Sequence, residues 1–201
     1  LLPEFEKKGL KAGRDFYLCF SPERIDPGNK RFALKDIPKI VGGVSPQSTQ
    51  LGVLLYQQII TKVMPVSYTR VDEMAKLLEN TFSIVNIGLV NELATAAKDL
   101  NIDIWEVIDA ASTKPFGFMP FYPGPGIGGH CIGVDPIYLS WKAKAHGREL
   151  RFIELARQMN SGMPKFVVEK AGEILNHRGI AVNGAKILIL GLAYKKDVED
   201  T

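Results

Sequence analysis

The amino-acid sequence predicts an α/β fold: part of a doubly wound parallel sheet, then a long central helix in a helical domain, then the first strand of a second α/β domain. Three observations support this prediction. Short apolar segments alternate with a helical pattern over residues 1–66, the segment 69–100 contains no proline, and a strongly apolar run occupies 186–192. Domain boundaries are therefore expected at 66/67 and 178/179.

The predicted strands of the first domain are short apolar runs at 16–20, 39–43 and 62–66. Ser45, followed by a proline, is an N-cap signal and opens a helix that is expected to end near residue 60. Strands separated by a helix are typical of a parallel sheet. Since no glycine-rich phosphate loop precedes these strands, we expect them to be the later part of a larger sheet.

The segment 69–100 is predicted to be a single helix, far longer than most. Its apolar residues cover much of the helix surface, which favours burial on more than one side, at a domain junction or against a partner subunit. These residues are Leu77, Leu78, Ile84, Val85, Leu89, Leu93 and Ala97. Further helices are predicted from residue 101 onward, over 152–158 and over 164–176, with a turn-rich segment at 113–136.

Composition argues against several classes of protein. The net charge of +3 is too small to indicate nucleic-acid binding, and no apolar run approaches the ~18 residues that a membrane span needs. The two cysteines lack Cys-x-x-Cys spacing, so we predict neither a metal site nor a disulfide framework. The first residues lack the pattern of a signal peptide, and we expect a cytoplasmic protein with reduced thiols.

The most informative segment is the glycine-rich loop that ends at Cys131. Four glycines lie between positions 124 and 129, where they allow tight turns and close approach to a ligand at an entropic cost. The string Gly124-x-Gly126-x-x-Gly129 also matches a dinucleotide fingerprint, but that fingerprint requires a preceding strand, which the prolines of 119–123 argue against. We therefore interpret the loop as the support of a functional thiol.

Cys131 and Asp135 form the first candidate constellation. A thiolate attacks a carbonyl carbon readily when positive charge stabilises it, and His130 or Lys76 is a candidate source of that charge. The alternative is a small buried hydrophobic side chain, the usual state of a free cysteine and the interpretation that we assign to Cys19. At position 131 the glycine-rich loop favours the nucleophile.

Lys76 and Asn80 form the second constellation. They lie four residues apart on the long helix, so they share a face and could stabilise an oxyanion or orient water. A solvated helix face is the alternative interpretation. The neighbouring Leu77, Leu78 and Phe82 favour partial desolvation of the lysine.

Two further loops follow predicted strands, the position at which open α/β sheets bind ligands. Glu23 is a candidate acid/base or water-orienting group, and the alternative is that it only pairs with Arg24 or caps its own loop. Tyr194 and Lys195 would suit a phosphate, with an exposed loop charge as the alternative.

Four motifs, in this order, resemble the UDP-glucose/GDP-mannose dehydrogenase family, the nucleotide-sugar 6-dehydrogenases. They are Ser-Pro-Glu-Arg at 21–24, Glu-x-x-Lys-x-x-x-Asn at 73–80, Gly-Gly-His-Cys-x-x-x-Asp at 128–135 and Gly-x-Ala-Tyr-Lys-Lys-Asp at 191–197. The resemblance covers nearly the whole chain. Lys-Pro-Phe-Gly-Phe at 114–118 and the Gly-His-Cys spelling resemble the branch that acts on UDP-N-acetylglucosamine.

The resemblance implies a four-electron oxidation of C6 of a UDP-sugar to a carboxylate with NAD as oxidant. Cys131 would attack the intermediate aldehyde and form a thiohemiacetal, which is oxidised to a thioester that water hydrolyses. Lys76 and Asn80 would stabilise the oxyanion. Asp135, assisted by Glu23, would position or activate the water.

The same resemblance implies the domains, partner and ligand contacts. Residues 1–66 would be the carboxy-terminal part of a Rossmann-like NAD-binding domain, 67–178 a central domain that dimerises through the helix 69–100, and 179–201 the start of a UDP-binding domain. NAD would contact Glu23 and Cys131. The UDP-sugar would contact Arg24, Ile25, Phe118, Tyr122, Gly128, Gly129, His130, Tyr194 and Lys195.

Two departures from the family pattern bear on activity. Pro27 stands roughly where glucose-specific members have a second glutamate, so Glu23 acts alone or water activation depends more on Asp135. The amino-terminal NAD loop and most of the UDP-binding domain lie outside the chain, so we expect this chain alone to be inactive. The alternatives are a UDP-N-acetylmannosamine or UDP-glucose 6-dehydrogenase, a non-catalytic dimerisation module, or another cysteine acyltransferase or hydrolase.

Overall fold

The computed structural model describes residues 1–26 and 28–199, in two units, Leu1–Glu79 and Asn80–Thr201. The unit boundary lies within the longest helix. The elements confirm the α/β class. In chain order they are α1 (Leu2–Glu6), β1 (Cys19–Phe20), β2 (Lys39–Gly43), α2 (Pro46–Tyr56), β3 (Val63–Val66), α3 (Thr69–Asp99), α4 (Ile104–Ser112), α5 (Asp135–Ala145) and α6 (Arg151–His177).

The sheet of the first unit has the strand order β1-β2-β3 and mixed direction. β2 and β3 are parallel and are connected through α2, as the sequence predicts. β1 is shorter than predicted and runs antiparallel to β2, which corrects the prediction of a fully parallel sheet. The reason is the connection, since a parallel crossover usually needs a helix, and the described residues between these strands form only the three-residue 3₁₀ turn Leu34–Asp36.

A buried carboxylate fixes β2 against the start of α3. Asp72 is fully buried, and its Oδ2 accepts the Gly42 N–H at 2.6 Å while its Oδ1 accepts the Glu73 N–H. Burial raises the pKa of Asp72, although both N–H donors favour its ionised form. Gly42 is required sterically, because a Cβ there would lie 2.6 Å from the Tyr68 carbonyl oxygen.

In the second unit, α3 and α6 approach each other closely at two small residues. A Cβ on Gly88 would lie only 3.1 Å from the Cα of Ala156. One turn away, Asn91 donates from its amide nitrogen to Oδ1 of Asn160 at 2.8 Å, and Asn160 donates to the Ile84 carbonyl at 3.1 Å. Both asparagines are buried, so this contact joins the two helices by paired amides inside the core.

Two predictions about the helices of this unit need correction. The segments 152–158 and 164–176 form one continuous helix, α6, with Pro164 inside it. A proline removes the hydrogen bond to the carbonyl four residues earlier, here that of Asn160, and a Cβ built on Gly126 would lie 3.9 Å from that carbonyl oxygen. Helix α5 was not predicted, although Asp135 followed by a proline is a helix-start signal.

The predicted strand at 186–192 is absent from the structure, which describes that segment in full. Its apolar side chains are largely exposed, with Leu188 at 81% and Leu190 at 87%. A strand requires a neighbour for its backbone N–H and C=O groups, and none of the described residues forms a ladder with this segment. The prediction of a strand at 186–192 is therefore wrong for this structure, because apolar composition alone does not provide the pairing that a strand needs.

The close contacts of Gly42 and the open surroundings of Gly162 predict opposite effects on stability when each glycine is replaced by alanine. Gly42→Ala should lower the free energy of unfolding by about 1–3 kcal/mol, because the added methyl group overlaps backbone. Gly162→Ala, on α6 with no atom near its added Cβ, should raise it by up to ~1 kcal/mol through helix propensity. Urea unfolding followed by circular dichroism measures both. An unchanged or more stable Gly42→Ala variant would contradict the described packing.

Candidate active site

The thiol lies in a turn that begins α5. The Cys131 carbonyl accepts the N–H groups of Val134 at 3.1 Å and Asp135 at 2.9 Å. The loop before it contains neither helix nor strand, and both Gly128 and Gly129 have positive φ angles, of 67° and 74°. The Cys131 side chain is exposed. The absence of a strand before this loop confirms that Gly124-x-Gly126-x-x-Gly129 is not a dinucleotide fingerprint.

A short hydrogen bond connects this turn to α3. The Asn80 amide nitrogen donates to Oδ2 of Asp135 at 2.6 Å, and Asn80 is only 6% exposed. The structure therefore brings together two residues that the sequence predicts to be functional and that lie 55 positions apart. An amide nitrogen has two N–H groups, so this bond occupies one of the Asn80 donors.

Lys76 lies one turn before Asn80 on α3 and is half-buried. The apolar neighbours that were expected to desolvate it are themselves substantially exposed, Leu78 at 61% and Phe82 at 47%. The desolvation expected from the sequence is therefore only partial. The helix nevertheless keeps Lys76 and Asn80 on one face, at the i, i+4 spacing.

The side chain of Tyr194 packs on Gly128 and Gly129, the two glycines with positive φ angles. A Cβ on Gly128 would lie 2.5 Å from the Cβ of Tyr194, and one on Gly129 would lie 3.2 Å from its ring. At Gly128 both the φ angle and Tyr194 exclude a side chain, and at Gly129 a side chain would be strained by its φ angle and crowded by the ring. Three residues predicted to contact substrate are thus in one place, next to His130, which is exposed. Lys195 is half-buried.

Tyr122, another predicted substrate contact, connects the loop to α4. Its hydroxyl donates to Oδ1 of Asp109 at 2.7 Å, and its ring stacks on Trp105 with centroids 5.2 Å apart. The hydrogen bond to Asp109 raises the pKa of Tyr122. Phe118 is partly exposed, at 42%. Asp109 and Trp105 were not singled out in the sequence, and their helical spacing alone gave no signal of this contact.

In the first unit, Glu23 caps its own loop. Its Oε1 accepts the N–H groups of Arg24 and Ile25, each at 2.7 Å, and its Oε2 lies 3.4 Å from Nζ of Lys39. Burial would raise the pKa of Glu23, but these donors outweigh burial and lower it. The carboxylate is therefore ionised at neutral pH, which suits the orientation of water better than donation of a proton. Ile25 is 46% exposed.

Arg24 does not pair with Glu23 through its guanidinium. That group binds the Glu79 carboxylate at 2.7 Å and donates to the Pro38 carbonyl at 2.8 Å. In this structure, Arg24 therefore joins its loop to α3. Pro27, the predicted departure from the family pattern, lies outside the described residues.

The second cysteine differs from Cys131 in its surroundings. Burial raises the pKa of the Cys19 thiol, and the negative charge of Asp72 adds to this effect. A partly buried thiol with a raised pKa is a poor nucleophile, which agrees with its interpretation as a small hydrophobic side chain.

One turn of the first unit, between β2 and α2, has the element order of a pyrophosphate cradle. β2, Gly43 and α2 form a strand–glycine–helix turn, but a Cβ on Gly43 would lie 2.3 Å from the Thr49 backbone nitrogen. The side chain of Ser45 caps the helix by accepting the Ser48 N–H at 3.1 Å. This turn is therefore filled by the protein itself and does not fit the phosphates of a dinucleotide.

Neither a metal centre nor a membrane-spanning helix is present among residues 1–26 and 28–199. No three His, Cys, Asp or Glu side chains of this part of the chain are placed to share a metal ion. Among the same residues, every helix is too short or too polar to cross a membrane.

Two asparagines that support the loop, Asn91 directly and Asn160 through Asn91, were not predicted from the sequence. Oδ1 of Asn91 accepts the Gly124 N–H at 2.9 Å, and Asn91 in turn bonds Asn160. Asn91 lies 11 residues after Asn80, which is about three helical turns, so both are on one face of α3. That spacing is a signal that could have identified Asn91.

Comparison with known proteins identifies relatives over the whole chain. The UDP-N-acetyl-D-glucosamine 6-dehydrogenase of Pseudomonas aeruginosa is 42% identical, over 99% of this chain and 47% of its own length. The UDP-N-acetyl-D-mannosamine dehydrogenase of Methanocaldococcus jannaschii is 36% identical, over 96% of this chain and 43% of its own length. The chain thus spans about half the length of the curated relatives it matches, 47% and 43% in these two.

Solved structures give the same result. The UDP-N-acetyl-mannosamine dehydrogenase of Staphylococcus aureus has a TM-score of 0.80 at 34% identity, and the match covers 99% of this chain and 45% of that one. The corresponding enzyme of Pyrococcus horikoshii has a TM-score of 0.80 at 35% identity, over 88% of this chain and 41% of that one. The profile of the UDP-glucose/GDP-mannose dehydrogenase family, central domain, matches residues 70–162. The chain therefore belongs to the UDP-glucose/GDP-mannose dehydrogenase family, and its residues 70–162 are the central domain.

Proposed function

We propose that the protein containing this chain oxidises C6 of UDP-N-acetylglucosamine from the alcohol to the carboxylate, with NAD as oxidant. One observation carries the proposal: the Asn80–Asp135 hydrogen bond joins the helix of Lys76 to the turn of Cys131. The similarity to a UDP-N-acetyl-D-glucosamine 6-dehydrogenase at 42% identity supports this substrate over UDP-N-acetylmannosamine, named for relatives at 33–38%.

The overall reaction converts one alcohol, one water and two NAD⁺ into one carboxylate, two NADH and three protons. NAD, when bound, supplies the acceptor of each hydride, and its pyrophosphate would be held by residues other than the turn at Gly43. The exposed Cys131 thiolate adds to the aldehyde carbon, so that the S–C bond forms while the carbonyl oxygen becomes the thiohemiacetal oxygen. Lys76 and Asn80 donate hydrogen bonds to that oxygen.

Hydrolysis ends the reaction. Asp135 positions water against the thioester carbon, the C–S bond breaks, and Cys131 leaves as a thiolate. The hydrogen bond from Asn80 keeps the Asp135 carboxylate in one orientation, and Glu23, which is ionised, assists in orienting water. A thiol with this role must stay reduced, so we place the protein in the cytoplasm.

The UDP-sugar is proposed to lie along the glycine loop. Tyr194 packs on Gly128 and Gly129, and Lys195 follows it with a charge that suits a phosphate. The remaining proposed contacts come from residues that the structure leaves on the surface or in loops: Arg24, Ile25, Phe118, Tyr122 and His130.

We also propose a homodimer, formed through α3. Its outward face carries a continuous apolar stripe at helical spacing. The side chains are 39–61% exposed and comprise Val71, Met74, Leu78, Phe82, Leu89 and Leu93. A stripe of this length is typical of an interface between subunits. A module that only dimerises is the second candidate function, because this stripe does not depend on the thiol.

The covalent role of Cys131 predicts a specific loss of acid. The full-length protein should form two NADH per UDP-N-acetylglucosamine, and faster than with UDP-N-acetylmannosamine or UDP-glucose. Cys131→Ser should lower uronic acid formation by about 10³-fold or more, since a neutral hydroxyl is a much weaker nucleophile. Cys19→Ser is the matched control and should keep nearly full activity. NADH absorbance and chromatography of the sugar product measure both.

Three outcomes would contradict parts of this proposal. Unimpaired acid formation by Cys131→Ser would exclude the covalent step. A preference for either other sugar would correct the substrate. A wild-type protein that dimerises but yields no NADH with any of the three sugars would favour the dimerisation module.

The apolar stripe predicts that one acidic substitution separates the subunits. In a two-fold interface, Leu89→Glu introduces one buried negative charge from each subunit. The dissociation constant of the dimer should therefore rise by about 100-fold or more. Leu54→Glu is the control, since Leu54 is a similarly exposed helical leucine, at 49% against 51% for Leu89. Light scattering after size-exclusion chromatography gives the mass. A Leu89→Glu variant that remains dimeric, or a Leu54→Glu variant that dissociates, would contradict the assignment.

A further inference from the structure

The loop that carries the thiol is fixed to α3 at both of its ends. At the end near Cys131, Asn80 donates to Asp135. At the other end, Asn91 accepts the N–H of Gly124. The two asparagines are 11 residues apart, so about 16 Å of one helix face spans the attachment points.

The orientation of the Asn91 amide is set by its partners. Its Oδ1 must face the Gly124 N–H, because a backbone N–H can only donate. Its nitrogen then donates to Oδ1 of Asn160, and the nitrogen of Asn160 donates to the Ile84 carbonyl. Asn91 is 0% and Asn160 3% exposed, so water does not compete for these bonds.

The loop is held by side-chain contacts, among them those of Tyr122 and Tyr194, and not by regular structure of its own. It contains neither helix nor strand, and glycines occupy 124, 126, 128 and 129, which leaves the backbone unusually free. A Cβ built on Gly126 would lie 3.9 Å from the Asn160 carbonyl oxygen, so the α6 backbone also borders the loop. A side chain that holds the first glycine therefore fixes one end of the segment that leads to Cys131.

We propose that Asn91, oriented by Asn160, is a positioning residue that sets where the Cys131 thiol lies. The proposal rests on the proposed function, because it concerns the cysteine of that reaction. Asn91 contacts the loop through Gly124, and it acts on the reaction only through the position of Cys131. Displacement of a reacting group by about 1 Å can lower a rate by about 100-fold, so the anchor is expected to matter for kcat.

The test compares three substitutions in the full-length protein. Asn91→Leu keeps the volume but removes the acceptor, and should lower kcat by about 10–100-fold with KM for the UDP-sugar changed less than about threefold. Asn91→Asp keeps an acceptor for Gly124, and in its protonated form its O–H donates to Oδ1 of Asn160 while Asn160 still donates to the Ile84 carbonyl, so this variant should recover part of the lost rate. Ile108→Ala on α4 is the control, a buried residue outside the anchor.

A loss of kcat caused by lower stability is excluded by assaying Asn91→Leu and Ile108→Ala each at the same number of degrees below its own melting temperature. If Asn91 positions the thiol, kcat should fall far more in Asn91→Leu than in Ile108→Ala. Equal losses, or no recovery by Asn91→Asp, would overturn the proposal.

A second measurement does not depend on activity or on a foldable variant. Hydrogen exchange of the wild-type chain should show the Gly124 amide protected, whereas the exposed Gly129 amide exchanges quickly. Rapid exchange at Gly124 would overturn the anchor. If Gly124 is protected but no UDP-sugar yields NADH in the wild-type protein, the proposed function fails and the anchor stands.

Discussion

The hydrogen bond between the Asn80 amide and the Asp135 carboxylate is the contact on which the candidate site of the second unit depends. It fixes the first residue of α5 to α3, and the Cys131 carbonyl accepts the N–H of that same residue. The thiol is therefore two hydrogen bonds away from a buried position on a long helix. The segment from Gly124 to Cys131 contains four glycines and no regular structure, so side-chain contacts of this kind hold the cysteine in place.

Helix α3 can serve this role because its two faces differ in chemistry. The inner face carries Asn80, Ile84, Gly88 and Asn91, all buried, and uses amides to hold segments that have no strand or helix of their own. The outer face carries the exposed apolar stripe. Amides suit the inner face because each one donates and accepts at once, so it can satisfy a loop N–H and a neighbouring helix together.

The sequence was sufficient to predict those parts of the site in which residue type and spacing carry the chemistry. Glycine density marked the loop, and the i, i+4 spacing placed Lys76 with Asn80. The sequence was insufficient where a residue far away in the chain determines the contact. Asn160, for example, bonds Asn91 although the two residues are 69 positions apart. The same reason explains the antiparallel direction of β1 and the unpaired segment 186–192, since pairing depends on neighbours that local composition does not specify.

In the proposed reaction, Cys131 forms a covalent acyl intermediate that Asp135 helps to hydrolyse. The most direct measurement is intact-protein mass spectrometry of the full-length Asp135→Asn variant during turnover of UDP-N-acetylglucosamine and NAD. The predicted result is an accumulated thioester adduct that maps to the peptide containing Cys131, because hydrolysis is slowed more than thioester formation. Continued release of uronic acid with no adduct on Cys131, or an adduct on Cys19, would contradict the claim.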